Sequence, residues 1–366
     1  MEVIYGQKQN INNKLVNNQS NQTSKQQYQE IKNIKNLVQK SVRFNEDLEI
    51  LSYINSGSSG IVYEGKVKKN SNKKVALKFI INSLLDMKRE KKDKIKRRIS
   101  HEIYFLNKLK QKNITLLYGV YEIPDEISCI VLELAKYHDL EYFQKKLIKK
   151  KTLSETLLVY ISKQILDALY YCHNSQIVHT DIKHQNVLID ENLNIKLTDF
   201  SVSFTYAGFE KNKKILLPFA GTSLFMSPEI LGHKEILPNE CNKIDMFSFG
   251  ILLYNLAYAE YPYKVTFKDK KNFQEIKNKI EKNTLDFPNT IKKFSTYFTN
   301  FLSYLLEKDI SKRISIYDAL KDPWIKGADL VFQEKEKIND LEKFLINIVT
   351  DNIRSFNYYL AGIKNI

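Results

Sequence analysis

Asp181, Lys183 and Asn186 stand within His179-Thr180-Asp181-Ile182-Lys183-His184-Gln185-Asn186, and thirteen residues after Asn186 comes Asp199-Phe200-Ser201. Moving the terminal phosphoryl of a nucleotide needs little covalent help. It needs a group to accept or orient a hydroxyl proton, cations to spread charge, and carboxylate or amide oxygens to hold those cations. In that chemistry Asp181 serves as base, Lys183 as charge stabiliser, and Asn186 and Asp199 as metal ligands. A single loop Asp is often only a turn or cap residue. That reading leaves unexplained Lys183, Asn186 and the strand pair expected at 187–189 and 195–198, which leads into Asp199.

Other elements must position these groups. Strands are expected at 48–54 and 61–67, flanking Ile54-Asn55-Ser56-Gly57-Ser58-Ser59-Gly60-Ile61-Val62-Tyr63. Gly57 and Gly60 let a hairpin backbone approach phosphate oxygens with no side chain between, although two glycines three apart also suit a plain β-turn. A third strand, 74–81, carries Val75-Ala76-Leu77-Lys78. Ile95, Ile99, Ile103, Leu106 and Leu109 recur at three- and four-residue steps, which predicts a helix over 88–110. Strands follow at 115–122 and 127–134, then helices at 153–174, 243–259 and 294–306. The fold class is α+β: a small β-rich lobe with one helix and a larger helical lobe, an arrangement that leaves a cleft for ligands. The expected boundaries are 1–46 for an N-terminal tail, 47–326 for the folded domain (47–134 and 135–326 for its lobes) and 327–366 for a C-terminal tail.

Residues 1–40 hold eight Asn and eight Gln with few large apolar side chains, so a disordered segment is expected there, with a short helix at 31–38. The C-terminal tail reads as helical, with Ile338, Leu341, Leu345, Ile348 and Phe356 on one apolar face. That face either docks on the chain's own larger lobe or serves as a partner-binding or autoinhibitory helix. The formal charge of +15 favours acidic partners. However, the lysines are spread along the chain among asparagines, so composition accounts for the charge as well as a binding patch does, and no nucleic acid partner is expected. Cys129, Cys172 and Cys241 are far apart and odd in number, which suggests reduced thiols in an intracellular protein. The start, Met1-Glu2-Val3-Ile4, lacks a basic-then-apolar signal, and the longest apolar stretch, 246–259, is too short to span a bilayer. The expectation is a cytoplasmic protein without a membrane segment, the nucleus being left open.

In order and spacing these motifs resemble the eukaryotic protein kinases, of the serine/threonine-specific type. The resemblance runs from about Asp47 to Ile325. It implies ATP with Mg2+ (or Mn2+) as cofactors and a protein Ser/Thr hydroxyl as acceptor. It makes Lys78 the phosphate-contacting lysine, Glu102 its helix partner, and Thr222 in Gly221-Thr222 a contact of both Asp181 and Lys183. In Leu132-Glu133-Leu134-Ala135 it places the backbone that bonds adenine, with Leu132 at the back pocket. Val62, Ala76 and Leu188 would enclose the purine, with Asp139 at the ribose and Ile54, Gly57 and Gly60 over the phosphates. Leu106, Leu117, His179 and Phe200 resemble the apolar column of an active kinase. Glu229 of Met226-Ser227-Pro228-Glu229 would pair with Arg313, and Asp245 would anchor the catalytic-loop backbone. The stretch 221–229 is most similar to kinases of the calcium/calmodulin-kinase-kinase type.

The chain departs from the family at Asn55 (usually Gly), Thr180 (usually an Arg that binds an activation-segment phosphate) and Ser201 (usually Gly). From Tyr206 to Ala220 there is no Ser or Thr, while Lys211, Lys213 and Lys214 are present. The expectation is a kinase not switched on by loop phosphorylation, the alternative being a nucleotide-binding pseudokinase scaffold. Gln185 and Asn255 stand where arginine-directed kinases carry carboxylates, which argues against a strong multi-arginine preference.

Overall fold

The computed structural model describes residues 42–57, 60–81, 89–123, 127–147, 152–288 and 294–362. The expected disordered segment at 1–40, its helix at 31–38, and Ser58 and Ser59 lie outside the described residues. The chain forms two compact units. The smaller comprises the described residues up to Asp93 together with Tyr118–Leu132, and the larger comprises Lys94–Leu117 and everything from Glu133 onward.

The smaller unit opens with helix α1 (Val42–Asp47) and strands β1 (Leu48–Gly57), β2 (Gly60–Val67) and β3 (Asn70–Ile81). In chain order helix α2 (Arg89–Lys108) comes next, most of it, from Lys94 on, belonging to the larger unit; then β4 (Leu117–Ile123) and β5 (Ile127–Glu133) complete a five-stranded sheet in the order β1-β2-β3-β5-β4. The two-residue period sends Ile61, Tyr63, Leu77 and Phe79 to one face, where they form a core with Cys129 and Val131. Residues 42–46, placed above in the N-terminal tail, form a helical turn with Asp47. Phe44 is buried in that core, 5.9 Å from the Phe79 ring and 5.6 Å from Tyr121. The turn is held further by Lys68 N, which donates to Asp47 O at 2.9 Å, and by the Tyr121 hydroxyl, which donates to Asp47 Oδ2 at 3.0 Å.

The larger unit is built on α3 (Glu155–Asn174), capped by Ser154, whose Oγ accepts from Leu157 N at 3.2 Å. Its irregular middle contains five short strands: β6 (Ile177–Val178), β7 (Val187–Ile189), β8 (Ile195–Leu197), β9 (Phe204–Thr205) and β10 (Ile215–Leu216). Then come α4 (Pro228–Leu231), β11 (Glu235–Ile236), α5 (Lys243–Tyr258), α6 (Phe273–Lys282), α7 (Thr296–Leu305), α8 (Ile316–Ala319) and α9 (Pro323–Lys326). The pairs are β6 with β9, β7 with β8 and β10 with β11. Helices α3 and α5 are buried on nearly every side, as central helices are. Among the described residues no helix is long and apolar enough to cross a membrane.

The C-terminal tail is helical but is not one helix. It breaks into α10 (Ala328–Lys337), α11 (Leu341–Val349) and α12 (Arg354–Gly362). Ile338 leaves helical geometry, Asp340 caps α11, and Asp351 turns at φ +58°. These breaks reset the helical phase: of the face expected from Ile338, Leu341, Leu345, Ile348 and Phe356, Ile348 and Phe356 are buried, whereas Ile338, Leu341 and Leu345 are only half-buried. The buried apolar set is Ala328, Val331, Phe344, Ile348, Ile353, Phe356 and Leu360. These helices dock on the chain's own larger unit. Phe332 and Phe344 pack on Tyr160 of α3 at 4.8 and 5.7 Å, and Asp351 Oδ1 accepts from Thr156 N at 3.1 Å.

Candidate functional site

The larger unit gathers Asp181, Lys183, Asn186 and Thr222 into one hydrogen-bonded network. Asp181 Oδ2 accepts from Lys183 Nζ at 2.6 Å and from Asn186 Nδ2 at 3.0 Å. Its Oδ1 accepts from the Thr222 hydroxyl at 2.7 Å, and that hydroxyl accepts from Lys183 Nζ at 2.8 Å. A carboxylate has about four acceptor positions. Three are taken, and one on Oδ1 remains for an incoming hydroxyl. Lys183 and Thr222 thereby fix the orientation of Asp181 from two sides.

The backbone that presents Asp181 is held by a buried carboxylate on α5. Asp245 accepts from His179 N and Thr180 N, both at 2.8 Å, and meets His173 Nε2 at 2.9 Å. Thr180 sits at φ +66°, an uncommon conformation for a β-branched residue. Its Oγ1 donates to Val202 O at 2.8 Å, and pairing of β6 with β9 brings Phe204 opposite Val178. Gly221 is required by close approach: at φ +103°, an added Cβ would lie 2.4 Å from Thr180 O. His179 and Phe200 are fully buried with rings 4.7 Å apart, and Leu106 of the expected column is buried while Leu117 is half-buried.

Asn186 and Asp199 offer hard oxygen donors, the type Mg2+ and Mn2+ take. The Asn186 amide nitrogen is engaged by Asp181 O at 2.8 Å as well as by Oδ2, which leaves its Oδ1 for a cation. Thr198 N donates to Asn186 O at 3.0 Å, and Asp199 follows at φ +64°, so both candidates come to one turn. Mg2+ commonly uses one or two protein oxygens and takes the rest from phosphate and water, and this donor set fits that pattern.

The residues expected around a nucleotide are distributed over both units. In the smaller, Val62 pairs with Lys78 across β2 and β3, and Ala76 pairs with Glu64. Val62, Ala76 and Lys78 thus share the sheet face opposite the core face. Lys78 is buried, as are Ala76 and Leu132, while Ile54 and Val62 are half-buried. Gly57 and Gly60 pair at the end of the hairpin. Gly60 has φ +130°, and a Cβ there would strike Phe79 O at 2.5 Å. Asn55 needs no left-handed backbone: it stays in β1 opposite Val62, and its Oδ1 accepts from Ser56 N at 2.8 Å.

In the larger unit, Glu102 is buried on α2. Glu133 N donates to Leu116 O at 2.9 Å, and Ala135 O accepts from His138 N at 3.2 Å. Asp139 bridges to Leu188 and caps the helical turn after it, its Oδ1 accepting from Tyr142 N at 2.8 Å. Burial pushes its carboxyl above the ordinary range, and the cap bond offsets only part of that.

Other participants were not read from sequence. Lys196 on β8 pairs with Glu133 at 2.6 Å, largely out of water. Glu141, bound by Lys145 and Gln185, borders a cavity of about 430 Å³ with His184, Asn255, Tyr261 and Thr222. Burial raises the Glu141 carboxyl, but the Lys145 contacts more than compensate and its net shift is downward. Neither residue carries a spacing signal, since each partner is brought in by folding. By contrast, the Arg313–Glu229 pair expected from sequence is present as a buried two-pronged pair at 2.6 and 3.0 Å, and Arg313 lies over the Phe247 ring at 4.8 Å.

A sequence profile described as the protein kinase domain matches residues 48–325. The chain is 32% identical over 292 residues to serine/threonine-protein kinase TIO of Arabidopsis thaliana, covering 80% of this chain and 20% of that protein. It is 33% identical over 289 residues to serine/threonine-protein kinase 36 of Mus musculus, covering 79% and 20%. It is 30% identical over 278 residues to CBL-interacting protein kinase 10 of Oryza sativa subsp. japonica, covering 76% and 56%. The chain therefore matches about one fifth of the length of the first two relatives. By profile, identity and two-lobed fold, this chain belongs to the eukaryotic protein kinase superfamily, serine/threonine type.

Proposed function

We propose that the chain is an active serine/threonine protein kinase that transfers the γ-phosphoryl of ATP to a protein Ser or Thr hydroxyl. The observation that carries this reading is the three-donor orientation of Asp181, with one acceptor position left for a hydroxyl. In this reading Asp181 Oδ1 receives or orients the hydroxyl proton, and Lys183 keeps positive charge beside the transferring group. The family resemblance assigns Lys78 to the phosphates with Glu102 as its partner, and Ile54, Gly57 and Gly60 to covering them. Leu132, Glu133, Ala135, Val62, Ala76 and Leu188 receive the base, and Asp139 the ribose. Asn186 Oδ1 and Asp199 would hold Mg2+, which when bound spreads the charge developing on the phosphoryl oxygens. The kinase domain is taken as residues 47–326, now preceded by the folded turn at 42–46 and followed by a docked helical tail.

The same proposal includes independence from activation-loop phosphorylation. Thr180, in the position of the phosphate-binding arginine, uses its hydroxyl on Val202 O. Tyr206, the one hydroxyl from 206 to 220, donates to His173 O at 3.3 Å, and burial pushes its pKa up to about 12. Substrates lacking a run of arginines fit the cavity beside Thr222, whose Glu141 is already occupied by Lys145 and Gln185. Three buried cysteines without disulfides are in keeping with a cytoplasmic location.

The test is transfer from labelled MgATP to a generic basic protein, beside Asp181→Asn. Transfer that disappears in the variant supports the enzyme and the base together. Absence of transfer with a retained ATP-dependent rise in melting temperature would favour the pseudokinase scaffold.

A further inference from the structure

Lys196 on β8 is buried, and its ammonium donates to Glu133 Oε1 at 2.6 Å. Among the described residues Glu133 is its one ion-pair partner. Glu133 in turn grips Leu116 twice. Its N donates to Leu116 O at 2.9 Å, and its Oε2 accepts from Leu116 N at 3.3 Å. A buried ion pair adds little net stability over well-packed apolar side chains, but it holds its partners in one geometry. Both partners stand where geometry decides what the site can hold.

The pair closes a circuit within the larger unit. Lys196 lies opposite Leu188 in the β7–β8 ladder, so the two side chains share a face. Leu188 bridges to Asp139. Next to that bridge, Tyr137 N donates to Ile189 O at 3.0 Å and Ile189 N donates to His138 O at 2.9 Å. From Tyr137 the chain runs back through Ala135 to Glu133, where the ion pair returns it to β8. Beside the pair, Thr115 N donates to Leu197 O at 3.0 Å. Beyond Leu197, Thr198 N holds Asn186 O at 3.0 Å, and Asp199 follows. One tied circuit therefore carries the backbone expected to bond adenine, the residue expected beneath the base, the ribose carboxylate and the approach to both cation ligands.

We propose that Lys196 and the Glu133 carboxylate are a positioning pair for the nucleotide. The pair fixes the segment that bonds the base relative to the turn that carries Asn186 and Asp199. Neither side chain takes part in phosphoryl transfer. This inference rests on the ATP-dependent transfer proposed above and adds two side chains that set its nucleotide affinity.

Steady-state transfer and ADP binding are measured on the full chain, on Glu133→Gln, on Lys196→Met and on the double variant Glu133→Gln/Lys196→Met. Each single variant raises the KM for MgATP and the Kd for ADP roughly tenfold, while kcat and the KM for the acceptor protein change less than about twofold. The double variant is no worse than one single variant, because the two side chains act as a unit. It also leaves no unpaired buried charge, so it folds even where a single variant does not. Unchanged nucleotide affinity overturns the proposal. So do additive effects of the two substitutions, or a kcat that falls as far as the KM rises. Absence of nucleotide binding by the unaltered chain overturns the kinase reading and this inference with it. Binding by the unaltered chain that all three variants match overturns this inference alone.

Discussion

The Thr180 hydroxyl donates to the Val202 carbonyl across 2.8 Å, joining the entry of the catalytic loop to the stretch just after Asp199-Phe200-Ser201. Most relatives in the superfamily would have an arginine at this position reaching for a phosphate. Here a short side chain makes an internal contact instead. The contact also helps hold Thr180 in its positive-φ conformation, which a β-branched residue adopts only under constraint.

Thr180→Val keeps the shape and removes the donor. It should cost about 1 kcal/mol in urea unfolding and lower transfer activity modestly. Phosphatase treatment should leave the activity of the unaltered chain unchanged. An activity-raising phosphate mapped between Phe204 and Ala220 would contradict the proposed mode of control.

Thr222→Val removes one donor to Asp181 and the acceptor for Lys183. A hydrogen bond to a charged group contributes about 1.5–3 kcal/mol, so kcat should fall by roughly ten- to a hundredfold. The KM for ATP should change little, because Thr222 holds the base rather than the nucleotide. A change confined to that KM would argue against the assigned role.

Ser227 is fully buried and its hydroxyl finds no hydrogen-bond partner among the described residues. Ser227→Ala removes an unsatisfied polar atom without creating a sizeable cavity. The urea midpoint should rise, corresponding to about 1 kcal/mol. A fall would show that the hydroxyl has a partner in solution.

Phe344 of α11 is fully buried and packs edge-on against Tyr160. Phe344→Ala should destabilise the chain by about 3–5 kcal/mol. An unchanged unfolding midpoint together with raised activity would instead assign the tail an autoinhibitory role.

Glu155 is buried. Burial raises its pKa, although Ser295 N at 2.9 Å, the Ser295 hydroxyl and Trp324 Nε1 at 3.0 Å all donate to it. The folded state therefore takes up this proton more readily than the unfolded state. Stability from this group should fall as pH rises from the ordinary glutamate range through the raised value. Denaturant midpoints measured from weakly acidic to neutral pH should show that decline, and Glu155→Gln should flatten it. A slope that persists in the variant would assign it to another group.

Much of the site was legible because its chemistry lies close together along the chain. Asp181, Lys183 and Asn186 fall within six residues, so spacing alone grouped them, and Gly221-Thr222 added the fourth member through the family resemblance. The Glu229–Arg313 pair was also readable from motifs, despite its 84-residue separation. The Lys196–Glu133 pair and the engagement of Glu141 were not, because neither belongs to a spaced motif. The tail was legible in part: it is helical and Ile348 and Phe356 are buried as expected, but one continuous face needs one continuous helix, and the N-cap at Asp340 and the turn at Asp351 end that continuity.

By itself the sequence determined the kinase order of motifs, the alternation of strands and helices, and the residue types able to move a phosphoryl group. Those features are local, set by periodicity and spacing. The tertiary structure decided that Phe44 extends the fold, that the C-terminal helices lie against α3, and that Thr180 answers Val202. It also decided that Lys196 meets Glu133. Each of these depends on residues brought together across long stretches of chain, and such meetings follow from packing, which no local pattern encodes.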